Sequence, residues 1–490
     1  MKKVVIVGAG LGGLAAGIVL AKSGFHVTIF EQNDHVGGKM MPVQLGDYPF
    51  DFGPNTITMP AVFRRVFEEA GEKLEDYLDL IKLEHHTNNY YMDGSSFAMT
   101  TNHDEMMKQF EVLDPHAEVS YSDYLEEVKF LYETAEQHFF YRTFSSWTDY
   151  TNLSLLKALL QVRPFETMDR FHRRYFENEN IRNAFNRYAT YIGSSPYVSP
   201  ATFALIGHLE MTDGVYYVKG GNTKIAAAFA QVFNKLGGTL HTNCKVKEVI
   251  VKDKHVQGIK IEGNEKVEAD IVIVNGDLLK AYPALVSEEN RPHFSNQKIQ
   301  SYEPSISAYV IMAGLKERNS NFIHHQVYFA QDYKKEFDEL FIKKQLPTDP
   351  TIYICNSSYT DRDISPGDNL FMLVNAPAVT PGQERDNEGY KEVIYDKLKR
   401  FGVDISSQLA VEKVVTPNEI ERKFGSYRGA LYGISSNKKM DSFLRPSNVA
   451  KDVGHLYFAG GTTHPGGGSP MVTISGLNVA RLLKERYSDE

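Results

Sequence analysis

Lys3-Val4-Val5-Ile6-Val7-Gly8-Ala9-Gly10-Leu11-Gly12-Gly13 is the stretch that decides the fold. Its first five residues read as a buried strand, and Leu11 to Lys22 reads as a helix that stops before Ser23-Gly24. Between them, Gly8 to Gly13 fits the pattern GxGxxG. Gly8 permits a tight turn, Gly10 lets the backbone approach a pyrophosphate, and Gly13 allows the helix to pack closely on the strand. The helix N-terminus then stabilises the phosphate charge. A second strand, His26 to Phe30, runs into Glu31, which lies 18 residues after Gly13. A carboxylate at that distance suits an adenosine ribose. The glycines alone are weak evidence; strand, helix and acid in this order make a dinucleotide fingerprint.

The same run bears on targeting. Lys2 and Lys3 precede apolar residues up to Ala21, which looks superficially like a signal peptide or a membrane span. Gly8, Gly10, Gly12, Gly13 and Gly17 divide it into a strand, a turn and a helix, so no transmembrane helix is predicted. The chain has 490 residues, 42% apolar and 23% charged, which predicts a folded protein of two or three lobes. Its net charge of −9 gives no electrostatic reason to expect nucleic acid. Cys244 and Cys355 are the only cysteines, too far apart in sequence for a metal motif, and such sparing use suits a reducing cytoplasm. No metal is expected.

Glu31 argues against a 2′-phosphate on the nucleotide, which leaves NAD or FAD. Val36-Gly37-Gly38-Lys39 and Phe50-Asp51-Phe52-Gly53-Pro54 follow, a glycine pair with a cation and then a glycine-proline turn. This resembles the flavin branch of the fold. The resemblance implies that Glu31, Gln32, Gly37, Gly38 and Lys39, then Gly53 and Pro54, line an FAD. Near the C-terminus, His455 to Gly460 reads as a short strand entering a glycine turn, Pro465 to Pro470 as a loop, and Met471 to Leu483 as a helix. On composition that segment reads equally as an ordinary loop and terminal helix. Paired with the N-terminal fingerprint, it resembles the closing flavin motif of the phytoene desaturase and amine oxidase superfamily, with Gly460, Gly461, Met471 and Val472 at the cofactor. Between the two ends, Gly220-Gly221 precede a helix from Thr223 to Leu236. Thr239 to Cys244, Lys245 to Val251, Gln257 to Ile261 and Asp270 to Asn275 then read as strands. The resemblance places the Val246 backbone against the adenine.

Tyr191 to Pro196, Tyr216 to Gly221 and Tyr457 to Gly461 extend the resemblance over the whole chain, to carotenoid desaturases of the phytoene desaturase type. Arg428 to Gly433 and Pro465 to Thr473 resemble one branch more closely, the diapocarotenoid oxygenases. The implied activity is FAD-dependent oxidation of terminal methyl groups of a diapocarotenoid to aldehyde, with oxygen a candidate electron acceptor. Alternatives are a phytoene or dehydrosqualene desaturase, a flavin amine oxidase, and a non-catalytic flavin protein. No catalytic base is assignable: His464, Arg142 and Asp149 lie near the motifs without a defined role.

The expected fold is α/β, an FAD-binding Rossmann-like lobe with a mixed β-sheet substrate lobe and a helical cap. The FAD lobe comprises residues 1–80, 215–290 and 440–490; the substrate lobe comprises 81–105 and 291–439; the cap comprises 106–214. In the substrate lobe, Tyr90 to Thr100, Ser305 to Ala313, Thr351 to Asn356 and Leu370 to Asn375 read as strands. Residues 121–150 hold ten aromatics, with Phe140, Phe144 and Trp147 spaced as one helix face. That stripe reads as core packing, or as the wall of a tunnel for a long polyene. Leu153 to Arg174 reads as an apolar and basic helical region suited to an anionic leaflet. A cytoplasmic protein peripherally attached to a membrane is therefore expected.

Overall fold

Alternation of side chains along Lys3–Val7 (β1) sends Val4 and Ile6 into one apolar core and Val5 into another. A strand buried on both faces needs neighbours on both edges and layers above and below. The computed structural model, which describes residues 2–144, 152–382, 387 and 389–487, supplies them. His26–Phe30 (β2), Thr239–His241 (β3), Ile271–Val274 (β4) and Leu456–Phe458 (β5) join β1 in a parallel sheet of order β5-β4-β1-β2-β3. The register sets Val4 against Ile271 on one side and Val27 on the other.

Helices Leu11–Lys22 (α1), Lys224–Lys235 (α2) and Ser469–Tyr487 (α3) cover one face. An antiparallel layer of Val246–Lys252, His255–Ile261 and Lys266–Glu268 covers the other. α1 and α3 cross at two glycines: a Cβ on Gly476 would lie 2.0 Å from the Gly12 carbonyl oxygen. The two ends of the chain therefore pack against each other.

A second sheet of seven strands runs Leu409–Val415, Ser307–Leu315, Asn369–Ala376, Ile352–Asn356, His325–Tyr328, His85–Tyr90 and Ser96–Thr100. All its pairings are antiparallel except His325–Tyr328 with His85–Tyr90. The single strand expected over Tyr90 to Thr100 is instead a hairpin. Asp93 accepts from the Ser95 N–H and hydroxyl, and Gly94 takes a φ of 84°, so the chain reverses between the two strands.

The aromatic segment also departs from expectation. Helix Pro115–Ala135 passes into a π turn over Glu136–Phe140, and Phe144 lies beyond any helix. Phe140 and Phe144 therefore do not share a helix face; Trp147, Tyr150 and Asp149 lie outside the described residues. The basic region is likewise two helices, Leu153–Gln161 and Met168–His172, parted at Pro164. Among the described residues, no helix is long and apolar enough to cross a membrane.

Candidate functional site

The parallel strands end at one crevice, where α/β sheets bind ligands. Around it lies a cavity of about 460 Å³, lined by Gly8, Gly10, Leu11 and Gly12 from the first turn, and by Glu31 and Gln32 after β2. Gly37, Gly38 and Lys39, then Gly53 and Pro54, form its next wall, and Val246 its far end. Gly460, Gly461 and Val472 close it from the C-terminal segment. Residues more than 400 apart in sequence thus face one space.

Three of the expected residues do not face that space. Ala9 is fully buried and donates its N–H to Glu31 Oε2 at 2.8 Å. Gly13 packs inside: a Cβ there would lie 2.3 Å from the Gly8 carbonyl oxygen. Met471 lines an adjoining cavity instead.

Glu31 is only 5% exposed, and its other oxygen accepts from the Asn33 N–H at 2.9 Å. The carboxylate therefore ties the phosphate-loop backbone to the residues after β2 and retains lone pairs for further donors. Asp51 has a different task. It accepts from the Asn222 and Thr223 N–H groups at 2.8 and 3.1 Å, anchoring the start of α2 to the strand Tyr48–Phe52.

The resemblance implied that Lys39 lines the FAD. Its ammonium donates to the carbonyls of Ala430 and Leu431 at 2.8 and 2.7 Å. Desolvation pushes Lys39 down to about 8, against the pull of the Asp277 carboxylate. An anion bound nearby favours the charged form. Above pH 8 such binding therefore takes up a proton, and affinity falls as pH rises. We expect FAD affinity to drop by up to about tenfold per pH unit above that point. Lys39→Met should flatten the profile, as followed by flavin fluorescence titration from pH 7 to 9.5.

Some cavity residues escaped the sequence reading. Asn275, at the C-terminal end of β4, donates Nδ2 to the Gly8 carbonyl at 3.1 Å, and a Cβ on Gly12 would lie 2.9 Å from its Oδ1. Asp277 accepts from the Thr462 hydroxyl at 3.0 Å and the Tyr427 N–H at 2.8 Å. A polar Asn-Gly-Asp run leaving a buried parallel strand was the available signal. His464 settles as a structural residue: Nε2 donates to the Phe139 carbonyl at 2.7 Å, and burial pushes it down to about 4. Cys355 comes to lie beside His324 and His325, with donor atoms within 4.8 Å of one another, a grouping invisible in sequence spacing. Burial holds the thiol protonated and His324 uncharged.

The glycine walls fit a flat, phosphorylated dinucleotide. A Cβ on Gly468 would meet no protein atom within 4 Å, so that side opens onto free cavity space. Gly10 caps α1 without a side-chain acceptor, leaving the helix N-terminus facing the cavity.

A second cavity, about 240 Å³, adjoins the first and shares Gly53, Pro54, Leu431, Tyr432, Gly467 and Gly468 with it. Phe140, Ile192, Phe203, Leu205, Ile206 and Leu209 give it an apolar wall. Its described lining contains Arg187 and Arg445 and no carboxylate.

Comparison with known proteins fits this arrangement. The sequence pattern of the family described as flavin containing amine oxidoreductase matches residues 11–484. The chain is 32% identical to a 4,4'-diaponeurosporene oxygenase of Staphylococcus haemolyticus over 98% of this chain and 96% of that protein. It is 34% identical to a 1-hydroxycarotenoid 3,4-desaturase of a Flavobacterium species over 99% of each. Among solved structures, a putrescine oxidase is similar in fold, with a TM-score of 0.65 at 15% identity, covering 98% of this chain and 99% of the other. A Methanosarcina mazei oxidoreductase is similar in fold too, with a TM-score of 0.64 at 16% identity, covering 98% and 100%.

Proposed function

The chain belongs to the flavin containing amine oxidoreductase family, and from that membership we propose an FAD-dependent carotenoid oxidoreductase that oxidises terminal methyl groups of a diapocarotenoid to aldehyde. The observation that carries this reading is the junction of the glycine-walled cavity with an apolar one. When bound, FAD supplies a centre that accepts a hydride. The chain's task is to place a C–H bond against that centre; reaching the aldehyde removes two hydride equivalents per methyl, with its oxygen drawn from water or dioxygen. Phe140, Leu205, Ile206 and Leu209 suit a hydrocarbon, which binds through apolar contact alone. The full-length identity to a diaponeurosporene oxygenase supports the choice of substrate class.

Charge argues against an amine. A protonated amine entering the apolar cavity would meet two arginines and no carboxylate on its described lining. Desaturation of a carotenoid is the second reading, favoured by the 34% identity to a 1-hydroxycarotenoid 3,4-desaturase. Product separation decides: given a conjugated diapocarotenoid, the enzyme should yield aldehydes. New double bonds without oxygen would establish the desaturase instead. Dioxygen is the proposed electron acceptor, and turnover should stop when air is withdrawn.

A carotenoid substrate dissolves in membranes, so the protein must meet it there. Helix Leu153–Gln161 exposes Leu153, Leu156 and Leu160 at helical spacing, and Phe165 follows, all largely solvent-facing. Arg163, Arg173 and Arg174 flank this patch, each paired with a carboxylate, and Arg170 is exposed. Peripheral attachment through the apolar face follows as part of the proposal. Leu156→Glu with Leu160→Glu should lower liposome flotation by about tenfold or more; unchanged flotation would move the contact elsewhere.

A further inference from the structure

Strand His325–Tyr328 pairs antiparallel with Ile352–Asn356, and the register sets His325 directly against Cys355. Side chains paired in this way stand side by side on one face of a sheet. His324 adjoins them, its ring centroid 4.5 Å from that of His325. One ring nitrogen of each histidine and the Cys355 sulfur lie within 4.8 Å of one another, and all three residues are buried.

The two imidazoles are held alike. A neutral imidazole carries one N–H, so the hydrogen bond made by one nitrogen fixes what the other can do. Nδ1 has the partner in both rings: the Thr360 hydroxyl at 2.6 Å for His324, and the Tyr353 hydroxyl at 2.9 Å for His325. Nε2 is buried in both rings without a hydrogen-bond partner among the described residues. With Nδ1–H donated to a hydroxyl, each Nε2 keeps a lone pair that no protein donor fills. A metal-ligating histidine is oriented in this way, through the nitrogen that does not bind the ion. A packed core histidine has its second nitrogen satisfied as well.

Charge selects the ion. No carboxylate belongs to the group. Asp51 is close enough for the sulfur to feel its charge, but it is committed to the Asn222 and Thr223 N–H groups. A dication on one thiolate and two neutral imidazoles would leave a buried net positive charge, whereas a monovalent ion leaves none. Thiolate and imidazole both suit copper, and thiolate selects its monovalent form.

We propose that His324 Nε2, His325 Nε2 and Cys355 Sγ bind one copper(I) ion, at a site separate from the flavin crevice and independent of the carotenoid reading. The ion replaces the thiol proton, which leaves to solvent, and no electron moves. At bond lengths like those of zinc, about 2.0 Å to nitrogen and 2.3 Å to sulfur, ligands of one ion lie within about 4 Å of each other, so the side chains need to close by about 1 Å or less. Tyr353, which orients His325, also lines the apolar cavity, so the site lies one side chain from that space.

The test offers copper(I) to the FAD-loaded protein by two routes: growth in copper-supplemented medium, and anaerobic titration against bicinchoninate. We expect about one copper per chain and a higher Tm than for the metal-free protein. X-ray absorption should show one sulfur and two imidazoles around the ion. Cys355→Ser should lose copper, whereas Cys244→Ser, which removes the only other cysteine, should keep it. Tyr353→Phe, which releases the His325 ring, should weaken binding about tenfold. Absence of copper by both routes would overturn the proposal, and so would a coordination shell without sulfur. Retention by Cys355→Ser or loss by Cys244→Ser would place the ion elsewhere and overturn it as well. Displacement of the copper by zinc would sink the choice of a monovalent ion. Should Cys355→Ser fail to fold, the absorption spectrum of Cys244→Ser decides alone, because its only sulfur from cysteine is Cys355.

Discussion

Gly13→Val should purify without yellow colour. A Cβ at residue 13 would lie 2.3 Å from the Gly8 carbonyl oxygen and 2.8 Å from Asn275 Nδ2. Neither atom sits on a flexible chain end. One is backbone, and the other is fixed by its hydrogen bond to Gly8. To relieve the overlap, α1 must lift from the sheet, carrying with it the N–H groups that face the cavity. Overpacking of this kind costs about 3 kcal/mol, or about a hundredfold in FAD affinity. Gly389→Ala is the control, since a Cβ there meets nothing within 4 Å. Retention of FAD by Gly13→Val would mean that the loop does not cradle the cofactor.

Glu31→Ala should have the next largest effect. It removes the acceptor for the Ala9 and Asn33 N–H groups, which the carboxylate holds at 2.8 and 2.9 Å. Unpaired buried donors cost about 1–3 kcal/mol each. The first of the two lies inside the phosphate loop itself. We expect FAD affinity to fall by about a hundredfold, again on the scale of 1.4 kcal/mol per tenfold, with a lower Tm for the protein without FAD. Glu31→Gln keeps one acceptor oxygen and should fall between the two. Flavin fluorescence titration against wild type measures the series; an unchanged affinity for Glu31→Ala would exclude the acid from the cofactor site.

Much of the nucleotide sheet was legible because its signals are local. β1, α1 and β2 begin and end where the sequence pattern predicts, since each is a buried run punctuated by glycine. β4 and β5 are shorter than predicted by a residue or more at each end. The hairpin at 85–100 was misread because Asp93-Gly94 interrupts a run that otherwise looks continuous. The aromatic stripe failed for a different reason. Spacing places side chains on one face only if the helix continues, and here it ends in the π turn Glu136–Phe140, before Phe144.

The cavity chemistry was the least legible. Arg187 and Tyr333 come from different elements, and neither belongs to a short motif. Their meeting at one cavity is visible only in the fold. Asn275 and Asp277 stood within reach, since the ends of parallel strands are where ligands bind.

The N-terminal glycine turn and the C-terminal glycine loop would hold one FAD beside the cavity proposed for the polyene. Anaerobic mixing of the yellow protein with a conjugated diapocarotenoid tests it most directly. The flavin band should bleach with about one equivalent of polyene consumed per flavin, the balance that two-electron chemistry requires. A flavin band that stays yellow with every polyene and bleaches with a simple amine would contradict it.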